Sequence, residues 1–119
     1  MTMRRTAAFA LAALVCLQAH AHAFLENAEP RVGASVAVAP AQVVLRFSQE
    51  IEPAFSRLRV EDAKGQRVDR DDSRVDDAHR EVIRVSLQAL APGDYKVVWR
   101  AVSVDAHVTT GDYAFHVGR

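Results

Sequence analysis

Sulfur is nearly absent from this 119-residue chain. Its one cysteine is Cys16, and both methionines, Met1 and Met3, lie ahead of it. From residue 22 onward the chain holds neither residue type, so disulfides, thiolate metal sites and thioether ligands are all excluded there. An excess of charge is missing as well, with 15 Lys and Arg against 15 Asp and Glu. That leaves no basic surface to hold nucleic acid or anionic lipid. Glycine is sparse at 5 residues, and no G-x-S-x-G elbow or glycine-rich phosphate loop occurs, which removes two common signatures of catalysis. No window beyond residue 21 sustains the i, i+3, i+4, i+7 apolar spacing of an amphipathic helix.

What is present begins at the amino terminus. Arg4 and Arg5 precede the apolar run TAAFALAALVCLQAHA, which closes on Ala19-His20-Ala21. Two basic residues, an apolar stretch and a small-x-small triplet form the layout of a secretory signal peptide. The run is shorter than the ~20 apolar residues of a membrane-spanning helix. Val15 stands before Cys16 where lipoprotein processing wants a small residue. Residues 1–21 are therefore expected to be removed, although a cut after Ala19 or Ala23 also satisfies so loose a pattern. The remainder, His22 to Arg119, is 98 residues (119 less 21) with 13 basic and 15 acidic side chains, a formal charge of −2. That length suits one compact domain, with no membrane insertion once the signal is gone.

Short runs of alternating apolar and polar residues make the expected fold all-β. Strands are predicted over Val43–Ser48, Leu58–Glu61, Val82–Leu87, Tyr95–Ser103 and Tyr113–Val117, with a shorter one within Val32–Val38. The turn Leu90–Tyr95 delivers a tyrosine just inside the next strand, the arrangement of a tyrosine corner. About seven strands at this spacing predict an immunoglobulin-like Greek-key β-sandwich. Trp99, Phe47, Phe55, Tyr95 and Phe115 are assigned to its core. Asp69–Arg80 (DRDDSRVDDAHR) has almost no apolar content. It is read as an exposed connection or weak hairpin that confers solubility and adds nothing to the core, and its spacing does not match a calcium loop.

Four histidines remain after residue 21: His22, His79, His107 and His116. His79 sits among charges and His116 alternates with aromatics, so both are expected at the surface. His22 differs because cleavage after Ala21 gives it a free α-amine. The amine and the imidazole Nδ1 together chelate one metal, and the amine's pKa near 8 lets a strong Lewis acid displace its proton around neutral pH. Asp105 and His107 follow the long Trp99 strand as D-x-H. In extended backbone, i and i+2 face the same way, which aims both side chains at one point. Three nitrogens and one oxygen from His22, Asp105 and His107 form the donor set of a tetragonal Cu(II) site. The same residues also fit an accident of cleavage beside a solvated loop, and so a metal-free structural sandwich.

Two longer blocks carry a family resemblance. HAFLENAEPRVGASVAVAPAQVVLRFS and YKVVWRAVSVDAHVTTGDYAFHV resemble the opening and closing blocks of the CopC family of periplasmic copper-resistance proteins. The matching elements are the histidine at the cleaved end, Ala-Pro before V-x-L-x-F-S, then W-R-A-V-S, D-x-H, a glycine four residues past the histidine, and F-x-V. The resemblance implies a copper-binding β-sandwich in the periplasm with one Cu(II) per chain on His22, Asp105 and His107. It also implies cleavage after Ala21, sequestration of copper or its delivery to a CopD-type inner-membrane protein, and no enzymatic turnover. Three features depart from the family. Gln49 stands where an acidic residue is frequent, Val108 stands where proline is frequent, and there is no Met-rich loop for Cu(I). A copper monooxygenase with an amino-terminal histidine is the rival reading, and it requires an open coordination position and a broad substrate face.

Overall fold

A computed structural model describes residues 22–118; the expected signal segment, residues 1–21, lies outside them. Eight strands follow one another, with no helix among the described residues. They are β1 (Leu25–Glu29), β2 (Ser35–Val36), β3 (Gln42–Phe47), β4 (Arg57–Asp62), β5 (Arg74–Val75), β6 (Val82–Ser86), β7 (Gly93–Val102) and β8 (Val108–Val117). One sheet has the order β1-β3-β6-β5 and the other β2-β8-β7-β4. All neighbours are antiparallel except β2, which runs parallel to β8. The expected all-β sandwich is therefore the fold.

Period-2 alternation explains why the sheets face each other as they do. Val43, Leu45 and Phe47 of β3 and Ile83 and Val85 of β6 point inward from one sheet, and all are at most 2 % exposed. Leu58, Val60, Val97, Phe115 and Val117 answer them from the other, equally buried. Each such side chain contributes about 1.5–3 kcal/mol by leaving water. A one-residue slip would turn a whole strand's set outward. Tyr95 closes the predicted corner by donating its hydroxyl to the Ala91 carbonyl. Tyr113 donates to the Pro30 carbonyl at 2.7 Å, and burial pushes its phenol pKa well up.

Several expectations need correction. β1 was not legible, because LENAE buries only Ala28 on its own account and forms a strand by pairing with β3. The strand expected within Val32–Val38 shrinks to two residues, since Gly33 takes φ 72° and Val32 and Val38 are exposed. β8 starts five residues earlier than the predicted Tyr113 and pairs Val108 to Val117 along the full length of β7. Phe55 is not core: it is 58 % exposed. It sits in a turn where Phe55 and Ser56 both donate backbone N–H groups to the Glu52 carbonyl, which turns the ring outward.

Asp69–Arg80 is the largest correction, for it is neither a bare connection nor merely a source of solubility. β4 is the edge of its sheet, and an edge exposes unpaired N–H groups that need partners. The Asp69 carboxylate, with no exposed side-chain area, accepts from Val60 N at 2.9 Å, and Ser73 Oγ accepts from Leu58 N at 2.9 Å. Asp72 accepts from Ser86 N on β6 at 2.8 Å, and Asp76 pairs with Arg84 at 2.8 Å. Val75 joins the core at 8 % exposure. The stretch thus ties the edge of one sheet to its neighbour, its carboxylates adding to the backbone pairing of β5 with β6.

Candidate metal centre

The amino-terminal residues reach the end of β7 through β3. Just past β3, Ser48 donates its backbone N–H to the Phe24 carbonyl at 2.7 Å, while its hydroxyl accepts from Phe24 N at 2.8 Å and donates to the His22 carbonyl at 3.3 Å. Ala23, fully buried, anchors the same segment in the core. Three residues beyond Ser48, Ile51 forms a lone antiparallel bridge with Ser103, and Glu52 N donates to the Val102 carbonyl at 2.7 Å. The chain between β3 and β4 therefore pins the start of β1 and the end of β7 to one pole of the sandwich.

His107 is presented there by a tight loop, not by an extended strand end. Ala106 adopts φ 64°, a left-handed conformation that reverses the chain. Buried Ser103 closes the loop by donating N–H to the His107 carbonyl at 2.9 Å, and it accepts from Ala106 N at 2.9 Å and, through Oγ, from His107 N at 3.2 Å. Strand alternation between Asp105 and His107 consequently does not hold.

His22 and His107 nevertheless meet. Their ring centroids are 4.9 Å apart with planes inclined at 56°, and both residues are exposed. Two imidazoles on neighbouring positions of one ion, each with a metal–nitrogen distance near 2.0 Å, place their centroids roughly 4.5 Å apart. The observed spacing suits that arrangement with a small adjustment. Asp105 is exposed in the loop two residues before His107. Among the described residues no three His, Cys, Asp or Glu side chains converge as a metal site. The two imidazoles therefore lie beside each other, and no carboxylate is gathered with them among the described residues. In the 119-residue chain the nitrogen of His22 is a peptide amide, and only cleavage before it creates an amine.

The other sequence-derived candidates separate from this pole. His79 is exposed, as expected, with Nδ1 3.9 Å from Glu81. His116 is also at the surface but contacts Asp94 at 2.7 Å, on the β7–β8 end remote from the loop. Sequence reasoning missed Phe24, which is 55 % exposed with its ring centroid 6.1 Å from that of His22. Ser48 was also missed, although its position after the V-x-L-x-F strand was its one visible signal.

Comparison with known proteins gives a consistent assignment. The CopC domain family matches residues 25–118. Copper transport protein CutJ of Bacillus subtilis is 32 % identical over 100 residues, covering 83 % of this chain but only 18 % of that longer protein. Copper resistance protein C of Escherichia coli is 34 % identical over 120 residues, covering 87 % of this chain and 86 % of its own length. The crystal structure of CopC from Methylosinus trichosporium OB3b superimposes with a TM-score of 0.76 at 33 % identity, covering 82 % of this chain and 94 % of that one.

Proposed function

The chain belongs to the CopC domain family, and from that premise we propose that it binds one Cu(II) in the periplasm for copper resistance or transport. The observation that carries the proposal is the approach of His22 to His107 at 4.9 Å, from sequence positions 85 residues apart. Removal of residues 1–21 would give His22 an amine beside its Nδ1. With the His107 imidazole these make three nitrogen donors, and a rotation of the exposed Asp105 side chain would supply an oxygen. Such a set suits tetragonal Cu(II), and with no sulfur beyond residue 21 it does not suit Cu(I). The protein sequesters the ion or passes it to a CopD-type inner-membrane partner, and no substrate turnover is involved.

The test uses protein beginning at His22, titrated with Cu(II) and followed by calorimetry and electron paramagnetic resonance. One equivalent is expected with a nitrogen-rich tetragonal spectrum. His22→Ala and His107→Ala should each weaken binding at least tenfold, and Asp105→Asn less. One added residue ahead of His22 keeps every side chain but removes the chelating amine, and should weaken binding comparably. Unchanged affinity in His22→Ala would sink the proposal, and rapid reductant-driven peroxide formation would favour the monooxygenase reading instead.

A further inference from the structure

The outer face of the β2-β8-β7-β4 sheet carries an arrangement that the copper site does not use. Arg57 on β4 and Arg100 on β7 are direct register partners, so both side chains leave the same face with Cβ atoms about 4.5–5.5 Å apart. Like charges in that relation oppose folding unless something shares them. Two neighbouring cations are already committed: Arg59 to Glu61 at 3.0 Å, and Arg67 to Asp69 at 2.8 Å and Asp71 at 3.2 Å. Arg100 gives one N–H to the Phe55 carbonyl at 3.1 Å. Among the described residues Arg57 has no side-chain partner. Both line a cavity of about 870 Å³, together with Pro53, Ala54, Val98 and Asp71, a volume within the range of small-molecule sites.

We infer that this cavity binds a carboxylate-bearing ligand, held between the Arg57 and Arg100 guanidinium groups. A guanidinium offers paired N–H donors that match a carboxylate edge to edge, and two of them facing one space explain why the like-charged pair is tolerated. Asp112 also lines the cavity. Its charge opposes any anion seated beside it, so the two guanidinium groups must outweigh it. The carboxylate belongs to a free polycarboxylate, the class of ligand that a cavity of this volume takes in. The inference does not rest on copper binding.

Citrate and a hexaglutamate peptide, each titrated calorimetrically into protein beginning at His22 at constant ionic strength, test it. Saturable millimolar or tighter binding is expected for citrate, weakened at least about tenfold by Arg57→Gln and by Arg100→Gln. Binding of the peptide but not of citrate would overturn the small-molecule assignment in favour of a protein partner. Arg57→Gln should also raise the melting temperature in chloride by removing the repulsion, and should leave Cu(II) uptake unchanged. Absence of binding by both probes to the wild type, or equal binding by the wild type and Arg57→Gln, would overturn the inference.

Discussion

Gly111→Ala puts the packing of the only tryptophan to a quantitative test. Gly111 lies directly opposite Trp99 in the β7–β8 register, and a Cβ built there would stand 2.2 Å from Trp99 Cζ2 and 2.6 Å from Cη2. Carbon atoms in contact prefer about 3.5–4.0 Å, so the indole must retreat by more than ~1 Å. It cannot do so freely, because Phe47 and Tyr113 hold it with ring centroids at 6.4 and 6.2 Å. The φ of Gly111 lies outside the left-handed region, so space and not backbone freedom dictates glycine here. Overpacking of this kind costs about 1–3 kcal/mol, and in a domain of this size each kcal/mol lowers the melting temperature by about 4–8 °C. Urea and thermal unfolding followed by far-ultraviolet circular dichroism measure the loss. Trp99 emission should shift to the red as the ring moves outward. In a Trp99→Ala background the same substitution should become neutral or gain roughly 0.5–1 kcal/mol, since alanine suits a strand better than glycine. A Gly111→Ala protein within ~0.5 kcal/mol of the wild type, with unshifted emission, would refute the reasoning.

Two other consequences follow from polar contacts. Burial works against ionisation of Asp69, but the Arg67 guanidinium and the N–H groups of Val60 and Asp71 outweigh it and hold the carboxyl below its usual range. Its contribution is thus complete above the unfolded-chain value near 3.9 and is lost as pH falls through the lower folded value. Asp69→Asn should cost about 1.5–3 kcal/mol at pH 7 and flatten the fall in urea midpoint between pH 5 and pH 2; an acid limb as steep as the wild type's would exclude Asp69 as its source. Ser48→Ala removes the hydroxyl that bridges Phe24 N and the His22 carbonyl. Stability should fall by about 1 kcal/mol or less, whereas Cu(II) affinity, on the proposed function, should fall several-fold because His22 is no longer held in place. Unchanged affinity would show that buried Ala23 and the Ser48 N–H bond to the Phe24 carbonyl suffice to position the terminus.

Some of the fold could be read directly, and the reason is locality. In β3, β6 and β7 the alternation of Val43, Leu45 and Phe47, of Ile83 and Val85, and of Tyr95 and Val97 marks the buried face within a few residues. The Tyr95 corner needs only the preceding turn. The elements that escaped notice depend on what stands beside them. β1 has no apolar alternation to reveal it, Phe55 is turned out by a local carbonyl, and the carboxylates of Asp69 and Asp72 act as strand-edge partners only because β4 and β6 lie within reach.

The candidate site divides in the same way. Residue order determined which chemistry was on hand: an unusual histidine at a predicted cleavage point, a second histidine two residues after an aspartate, and no sulfur beyond residue 21 to compete. Folding decided that the two imidazoles meet, because Ser48 and the Ile51–Ser103 bridge join regions far apart in the chain. It also decided that Asp105 would enter a reversed loop instead of an extended strand, since Ala106 takes a positive φ. Side-chain periodicity is written into neighbouring residues, whereas coordination depends on distances between strands that only packing sets.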